Sequence, residues 1–443
     1  PTRVLAKAAR LMREAGHFDE YGLVGECPAV DLAQVLARVR QMVEKLHEKK
    51  QLQQHLERAG VSVYVGVGPA RFVDEHTVVL EDGSRLEGAK FILCAGGRAR
   101  RLSFPGSEYA LTHSDVWSLQ SLPRSIAIVG GSATGCQLAS ILEAFGTQVW
   151  ILERHSRILK LEDQLLSDVM AQAFRQRGIE LVLGLESVGQ IEKVDDGLRL
   201  NYTIGRGVSA EGQGKTLDVK AVLLAIGWPG NADTLNLEAA NVKSEGGYVI
   251  VDEYLRSSAP HIFAAGDMNG RMMLVQSASY EARIAAENAV LGVGQPYAHR
   301  IVPHGSFTDP EYASVGLTEE QAREVEGGYV VSTVPYADLD RAVIDERTTG
   351  FCKLIVSQET HRILGAHIVG EQALEAIQLV AAGMAADMWV EQLAELELAY
   401  PTYTSIVGLA ARQVVRELGV MPLTAEWRAL GKAHAAEWER SGA

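Results

Sequence analysis

A glycine-rich turn between two apolar segments is the part of this sequence whose residue types and spacing best fit a chemical role. Gly130 and Gly135 follow an apolar run at 126–129, and Glu153 ends the next apolar run, at 148–152. Gly130 permits a tight turn, Gly135 permits close packing of a helix on a strand, and the free N–H groups of that helix attract a pyrophosphate. Glu153 falls where an acid accepts hydrogen bonds from an adenosine ribose. The pattern predicts a dinucleotide-binding βαβ unit.

One position of this turn departs from the usual pattern. Ser132 stands where the middle glycine is expected. Its Cβ should push a pyrophosphate outward while its hydroxyl can donate to a phosphate oxygen, so we expect binding to be weakened but not lost. Glu153 favours NADH, because a carboxylate accepts from a free 2′-hydroxyl and repels a 2′-phosphate. A 2′-phosphate could instead be held by Arg154, His155 and Arg157, so NADPH is the alternative nucleotide.

The bulk composition excludes several other classes of protein. With 443 residues the chain has room for two or three domains. Its net charge of −14 argues against a nucleic-acid partner. We expect no membrane span and no signal peptide, and therefore a cytoplasmic location. The four cysteines and twelve histidines lack metal-ligand spacing, so we predict no metal site.

The elements predicted before the glycine turn are mainly helical. Asp31 is a good N-cap for a long helix. The predicted helices cover 1–14 and 32–59, and the predicted strands cover 61–70, 77–80 and 90–93 with a hairpin turn at 81–84.

Beyond the turn, the pattern changes from alternating βα units to a β-rich segment. We predict a helix at 163–177, a strand at 180–183, a β-meander at 188–219 with a glycine-rich loop at 205–214, a strand at 221–226, a strand at 261–267 ending in Asp267, and a helix at 277–291. From about residue 300 onward, strands at 313–316, 329–335, 350–356 and 363–369 alternate with helices at 318–326 and 371–388, which favours an antiparallel sheet with helices on one face.

Taken in order, these motifs resemble the class I pyridine nucleotide–disulfide oxidoreductases, in particular the branch of dihydrolipoamide dehydrogenase and mercuric reductase. The resemblance covers residues 1 to about 420. The segment 338–342 (DLDRA) is more similar to the mercuric reductase-like branch. Its motifs are 94–97 (CAGG), the Gly130 turn, 225–231 (AIGWPGN), 262–267 (IFAAGD), 308–319 (TDPEYASVGLTE) and 363–370 (ILGAHIVG).

The resemblance implies an α/β fold with two Rossmann-like dinucleotide-binding domains and a C-terminal α+β dimerisation domain. The FAD domain would be split by the inserted NAD(P)H domain, and the protein would be a homodimer. The implied domains are 1–121 (first part of the FAD domain), 122–241 (NAD(P)H domain), 242–299 (second part of the FAD domain), 300–420 (dimerisation domain) and 421–443 (a helical tail).

The resemblance also assigns residues to the two cofactors, FAD and NADH or NADPH. The family residue that matches Asp267 hydrogen-bonds the flavin ribitol chain, and an acid at the carboxyl end of a strand faces the ligand crevice. Other positions matched to cofactor contacts are Gly68, Gly96, Val188, Gly227 and Gly266.

Four positions matching family catalytic residues carry different side chains. Arg3 and Gln137 stand where disulfide reductases pair a lysine with a glutamate beside the flavin, and arginine keeps its proton while glutamine has no charge. Tyr400 and Ser405 stand where a histidine and a glutamate usually move a proton to and from a thiol. A phenol with a pKa near 10 is a poor base at neutral pH, so a dithiol reductase of the usual kind is not expected.

Two further features concern the redox cysteines of the family. Pro1-Thr2-Arg3 matches the segment that follows the family's C-x-x-x-x-C pair, so we expect that pair and about forty residues of FAD-binding βα structure to precede Pro1. The alternative is a natural protein without flavin. Mercuric reductases also use a C-terminal vicinal cysteine pair, whereas no cysteine follows Cys352 here.

The leading hypothesis is a FAD-dependent NAD(P)H oxidoreductase that passes electrons to a disulfide, a metal ion or another acceptor, either small or protein-bound. Mercuric reductase-like metal reduction without the C-terminal cysteine pair is an alternative. A catalytically impaired nucleotide-binding homologue is a second alternative.

Overall fold

The computed structural model describes residues 1–205, 213–298, 301–325 and 327–420. The chain forms two compact units. Unit 1 comprises residues 1–158 and 177–300, and unit 2 comprises residues 159–176 and 301–443. The predicted helical tail at 421–443 and most of the predicted loop at 205–214 lie outside the described residues. None of the described helices is both long and apolar enough to cross a membrane.

Both units contain helices and strands. The helices are α1 (Thr2–Ala15), α2 (Leu32–Lys50), α3 (Leu52–Arg58), α4 (Ala133–Ala144), α5 (Gln164–Gln176), α6 (Val275–Leu291), α7 (Glu319–Ala322), α8 (Asp340–Ile344), α9 (Ala373–Ala385), α10 (Val390–Glu395) and α11 (Ser405–Glu417). The strands are β1 (Arg71–Phe72), β2 (Thr77–Val79), β3 (Arg85–Glu87), β4 (Phe91–Leu93), β5 (Leu111–Thr112), β6 (Ser125–Val129), β7 (Gln148–Glu153), β8 (Glu180–Leu183), β9 (Leu185–Val194), β10 (Gly197–Ile204), β11 (Gln213–Val219), β12 (Ala221–Leu224), β13 (Ser244–Glu245), β14 (Tyr248–Val249), β15 (Ile262–Ala264), β16 (His304–Ser306), β17 (Tyr312–Gly316), β18 (Tyr329–Pro335), β19 (Phe351–Ser357) and β20 (Ile363–Val369).

The largest sheet of unit 1 is parallel and carries the predicted βαβ unit. Its strand order is β5-β12-β6-β7-β8. Strand β6 is buried almost throughout, as its apolar run Ile-Ala-Ile-Val predicts for a strand covered on both faces. The antiparallel meander β9-β10-β11 packs its apolar residues with those of β6, β7 and β12 in one hydrophobic cluster. The α/β class expected from the sequence is therefore present.

A second parallel pair in unit 1 joins two distant parts of the sequence. Strand β4 pairs with β15, with Ile92 opposite Phe263. The carboxyl ends of both strands lie on the same side, so the segments that follow Leu93 and Ala264 emerge together. This pairing positions the second candidate site.

Two local predictions in the N-terminal part are wrong. Residues 61–70 form no strand, and Gly66 and Gly68 adopt positive φ values of 71° and 70°, which break extended pairing. The long helix predicted over 32–59 ends at Lys50, because Gln51 has a φ of 43° and α3 then starts anew. Asp31 does cap α2, its carboxylate accepting from the N–H of Gln34 at 3.0 Å.

Unit 2 is built on one antiparallel sheet, as predicted. The strand order is β16-β17-β20-β19-β18, and every neighbouring pair is antiparallel. Helices α9 and α11 bury apolar residues in the same cluster as the sheet, including Ile377 and Ile406. Helix α7 is shorter than the predicted 318–326, ending at Ala322.

Candidate functional site

The turn between β6 and α4 needs glycine at two positions. Gly130 has a φ of 110°, and a Cβ there would lie 2.3 Å from the carbonyl oxygen of Ala225. A Cβ on Gly135 would lie 1.9 Å from the carbonyl oxygen of Gly130. Both distances are too short for any side chain, so β6, the turn and α4 are packed backbone to backbone. The sequence prediction about these two glycines agrees with this geometry.

The first turn of α4 is open to a ligand. Ser132 is its N-cap with extended backbone, and its side chain makes no capping hydrogen bond. Ser132, Ala133 and Thr134 are all exposed. Free N–H groups and the positive end of the helix dipole thus face outward at this turn, which suits an anionic group such as a pyrophosphate.

Glu153 lies at the end of β7 and reaches into the same turn. It is buried, and one carboxylate oxygen accepts from the N–H of Gly131 at 2.6 Å while the other accepts from the N–H of His155 at 2.9 Å. A carboxylate has about four acceptor sites, so two backbone bonds leave capacity for a ribose hydroxyl. The residue is thereby fixed beside the helix N-terminus, where a dinucleotide fits.

Cys136 is the cysteine next to this turn, and its environment is structural. Its Sγ donates to the carbonyl oxygen of Gly131 at 3.3 Å. Complete burial, followed by the nearby charge of Glu153, raises the pKa of the thiol far above its usual value. A thiol that stays protonated is a poor nucleophile, so Cys136 serves packing here.

The paired carboxyl ends of β4 and β15 form the second candidate site. The N–H of Ala265 donates to the carbonyl oxygen of Leu93 at 3.1 Å, which continues the pairing to the edge where Asp267 follows. Among the described residues, none donates a hydrogen bond to the Asp267 carboxylate. In the first turn of α6 the hydroxyl of Ser277 is buried and likewise has no partner within the described chain. An available acid and an orphaned hydroxyl fit the polar chain of a flavin nucleotide.

The segment after β4 is paired with the segment after β12. The N–H of Arg98 donates to the carbonyl of Pro229 at 2.9 Å, and the N–H of Asn231 donates to the carbonyl of Gly96 at 3.0 Å. The side chain of Asn231 donates to Ala95 at 2.9 Å. The predicted residues Gly96 and Gly227 are therefore brought onto two adjacent crossing segments of unit 1.

Two further predicted cofactor positions have packing reasons for their residue types. A Cβ on Gly68 would lie 1.9 Å from a carboxylate oxygen of Glu81, so close packing already demands glycine there. Val188 on β9 lies opposite Tyr202 on β10, and it packs against the hydrophobic cluster of the parallel sheet. Cofactor contacts by Gly68 and Val188 stay predictions.

Arg3 and Gln137 lie on helices that pack together. Arg3 belongs to α1 and Gln137 to α4, and the guanidinium of Arg13 on α1 donates to the carbonyl oxygen of Ser140 on α4 at 3.2 Å. This packing holds both predicted positions on neighbouring elements of unit 1.

Tyr400 and Ser405 line a cavity of about 360 Å³ within unit 2. The Tyr400 hydroxyl donates to a carboxylate oxygen of Asp340 at 2.9 Å, and this hydrogen bond raises the pKa of the phenol above its usual value. The Ser405 hydroxyl instead donates to the carbonyl of Ala399 at 3.2 Å. Tyr400 is therefore paired with Asp340 and not with Ser405, and its phenol is the hydrogen-bond donor.

Asp340 is the residue of this cavity that sequence reasoning missed as a site residue. It belongs to the 338–342 run that carried the resemblance to mercuric reductases, but nothing in the spacing joined it to a tyrosine 60 residues away. In the described part of the chain, no group of three or more His, Cys, Asp or Glu side chains could hold a metal ion.

Comparison with known proteins gives the same family for both parts of the chain. Residues 5–282 match the family model described as pyridine nucleotide-disulphide oxidoreductase, and residues 302–411 match its dimerisation domain. The chain is 32% identical over 416 residues to dihydrolipoyl dehydrogenase of Geobacillus stearothermophilus, covering 93% of this chain and 86% of that protein. It is 29% identical over 420 residues to mercuric reductase of Bacillus cereus, covering 93% of this chain but only 64% of that protein.

Solved structures of flavoprotein reductases share the fold. The HOCl-induced flavoprotein disulfide reductase RclA from Escherichia coli matches with a TM-score of 0.79 and 26% identity, over 93% of this chain and 89% of that one. LpdA from Mycobacterium tuberculosis matches with a TM-score of 0.81 and 25% identity over the same shares. Together with the glycine turn, Glu153 and Asp267, these matches show that the chain belongs to the pyridine nucleotide-disulfide oxidoreductases, a family of FAD-dependent enzymes.

Proposed function

We propose that the protein oxidises NADH, in preference to NADPH, and passes the electrons through FAD to an acceptor that needs no thiol-directed base. The observation that carries this proposal is the presence in unit 1 of two groups of residues at the carboxyl ends of parallel strands. One comprises the open first turn of α4 and Glu153, and the other comprises the turn with Asp267. Crevices at the carboxyl ends of parallel strands are where dinucleotides bind in such sheets.

The two strand-end sites would each bind one of the two cofactors. The first turn of α4 would hold the pyrophosphate of the nicotinamide nucleotide through backbone N–H groups. Asp267 and Ser277 would hold the polar chain of FAD by accepting and donating hydrogen bonds. FAD, when bound, supplies the carrier that takes a hydride from the nicotinamide and delivers electrons onward.

The preference for NADH rests on Glu153. Its carboxylate is held by two backbone N–H groups and keeps lone pairs for a ribose 2′-hydroxyl. A 2′-phosphate placed there would meet this buried negative charge. The variant Glu153→Gln should therefore prefer NADH less strongly than the wild type, so the value of kcat/KM for NADH divided by that for NADPH should fall. An unchanged value would show that Glu153 does not select the nucleotide.

The acceptor is proposed to enter the cavity of unit 2. Tyr400 is 74% exposed and its single hydroxyl hydrogen is donated to Asp340, so the phenol oxygen can accept a hydrogen bond from a bound molecule but cannot deprotonate a thiol. The aliphatic wall of the cavity includes Leu398 and Leu409. An acceptor that is reduced without thiol–disulfide exchange fits these side chains better than a dithiol does.

A homodimer is part of the proposal, because residues 302–411 match a dimerisation domain. Sedimentation should give twice the mass of one chain. A cytoplasmic location is expected as well, and cell fractionation tests it.

The decisive experiment is the visible spectrum of the purified full-length protein. Flavin absorption in the blue, bleached by NADH faster than by NADPH, is expected. Absence of flavin, or flavin that neither nucleotide bleaches, would overturn the proposal. Nucleotide binding measured by calorimetry, without turnover of any quinone, disulfide or metal acceptor, would instead favour a nucleotide-binding homologue that has lost the chemistry.

A further inference from the structure

A buried carboxylate lies directly behind the turn that carries Asp267. Glu281 is on α6 and is fully buried. One of its oxygens accepts from the N–H of Gly266 at 2.6 Å and from the side-chain amide of Asn269 at 2.7 Å. No sequence motif singled out Glu281, because the residues it binds lie 12 and 15 positions earlier in the chain.

The surroundings of Glu281 are arranged to hold a negative charge. Burying a carboxylate costs several kcal/mol unless hydrogen bonds compensate it. Besides the two N–H donors, the Tyr297 hydroxyl bonds to Glu281, and burial together with this carboxylate raises the pKa of Tyr297 to about 12. Burial, followed by the same charge, raises the pKa of Cys94 at the end of β4. The charge of Glu281 is therefore felt at both strand ends of the candidate flavin site.

The two donors flank Asp267 on either side. Gly266 precedes it in the short turn Gly266–Met268, and Asn269 follows that turn. Asn269 also accepts from the N–H of Arg271 through its side-chain oxygen at 2.9 Å. A Cβ on Gly266 would lie 3.1 Å from the Cβ of Ala278, so the turn sits tightly on α6. Glu281 thus anchors both ends of the Asp267 turn to the helix.

We propose that Glu281 is a positioning residue of the flavin site, which fixes the Asp267 turn and places a buried negative charge behind it. The inference rests on the proposed function, since it concerns the cofactor assigned there. A fixed Asp267 needs no reordering when FAD binds. The negative charge disfavours the addition of electrons nearby, so it lowers the reduction potential of the bound flavin.

The first test is Glu281→Gln in the full-length protein. Glutamine keeps the size of the side chain and one oxygen that can still accept from Gly266 and Asn269, but it removes the charge that strengthens both hydrogen bonds. We expect FAD to dissociate about tenfold faster, as follows from loss of a charge-assisted hydrogen bond. The flavin midpoint potential should shift to a more positive value. Glu287→Gln on the same helix is the matched control, because Glu287 is paired with Arg283 on the surface and should change neither quantity.

The variant Asn269→Ala separates the anchoring of the Asp267 turn from the effect of the Glu281 charge. It removes one donor that holds the turn while leaving the charge of Glu281 in place. We expect faster FAD loss without a positive shift of the potential. It also serves as the test if Glu281→Gln does not fold, and unchanged FAD dissociation in Asn269→Ala would then overturn the anchoring.

The outcomes distinguish the inference from the proposed function. A wild-type protein that binds no flavin would overturn the proposed function and this inference together. A flavin-loaded wild type whose Glu281→Gln variant keeps the same potential and the same FAD dissociation rate would overturn the inference alone. A stability loss without a shift in potential would assign Glu281 a purely structural role and contradict the proposal.

Discussion

Single residues at the two strand-end sites combine a structural role with the binding role proposed for the site. Glu153 ties the glycine turn to the end of β7 through Gly131 and His155 while keeping acceptor sites for a ligand. Glu281 ties the Asp267 turn to α6 in the same way. Hydrogen bonds compensate the lost hydration of each buried carboxylate: two backbone N–H groups donate to Glu153, and one backbone N–H group and the Asn269 side-chain amide donate to Glu281. The same bonds fix the position of the residue that we propose to contact the cofactor.

Ser132→Gly tests the placement of the nicotinamide nucleotide. The substitution removes the Cβ and hydroxyl at the open N-cap of α4, and glycine costs an N-cap only a few tenths of a kcal/mol. We expect an intact fold and a Michaelis constant for NAD(P)H that falls by about threefold, with kcat nearly unchanged. Steady-state kinetics checks this, and an unchanged Michaelis constant would mean that the pyrophosphate does not approach Ser132.

Tyr400→Phe tests the acceptor cavity. The variant loses the hydroxyl that donates to Asp340. We expect flavin reduction by NADH to keep its rate, whereas turnover of the acceptor falls by about fivefold, the effect of losing one hydrogen bond of about 1 kcal/mol. Stopped-flow measurement of the two half-reactions separates them.

Tyr403→Phe is the matched control for this cavity. Tyr403 is buried, and its hydroxyl donates to Asp345 at 2.8 Å rather than to Asp340. Its loss should lower stability without a selective effect on the acceptor half-reaction. Equal losses of acceptor turnover in both variants would contradict a specific role for Tyr400.

At the scale of elements, unit 2 holds the start of α5 by charged groups inside its own core. The Lys353 ammonium on β19 donates to both oxygens of Asp163, at 2.9 and 3.0 Å, and both side chains are almost fully buried. Asp163 also accepts from the N–H of Glu319 at 3.1 Å. Strand β19, the start of α7 and the segment before α5 are thereby joined at one carboxylate.

Asp163→Asn should therefore destabilise unit 2. Removing one charge of a buried pair leaves the Lys353 ammonium only partly compensated, by the carboxylate of Glu319. We expect a loss of about 3 kcal/mol in the free energy of unfolding. Urea unfolding measures it. Asp168→Asn is the control, because Asp168 is exposed on the same helix and should change stability by less than about 0.5 kcal/mol.

At the scale of the whole molecule, unit 2 carries a linked pair whose protonation affects the stability of the fold. Burial would raise the pKa of the Glu162 carboxyl, but hydrogen bonds from His304 and Ser314 outweigh it and lower that pKa below the usual value. Burial would lower the pKa of His304, but the bond to Glu162 at 3.2 Å outweighs it and raises that pKa. The pair is thus stable with Glu162 ionised and His304 protonated.

The pH dependence follows from these two directions. The lowered pKa of Glu162 adds stability above its usual value of 4.5, and this is lost as the pH falls through the folded pKa. The raised pKa of His304 adds stability below its usual value of 6.5, and this is lost as the pH rises through the folded pKa. We expect the contribution of the pair to be largest between pH about 4.5 and 6.5.

Thermal unfolding across this pH range tests the prediction. The difference in Tm between the wild type and Glu162→Gln should be greatest inside the window and should shrink on both sides. In the variant His304→Gln, the stabilisation by Glu162 should no longer decrease as the pH rises above the window. A difference that is constant with pH would show that the pair does not contribute through its charges.

The sequence alone determined the family, the α/β class and the residues of the glycine turn. These features are local: Gly130, Gly135 and Glu153 are recognisable because a helix–strand turn needs those residue types at fixed spacing. The same holds for Asp267, which lies in the turn that follows an apolar strand. Local spacing failed at 61–70, where two positive-φ glycines override a β-like composition.

Only the tertiary structure decided which distant side chains meet. Tyr400 with Asp340, Lys353 with Asp163, and Glu281 with Gly266 are pairs whose approach depends on strand register and helix packing, which spacing in the sequence does not encode. The Tyr400 hydroxyl, which bonds to Asp340, and the Ser405 hydroxyl, which bonds to Ala399, are the clearest case. Because a hydroxyl bonds to the acceptor that packing brings within reach, the partner of each side chain was set by the fold rather than by its place in a motif.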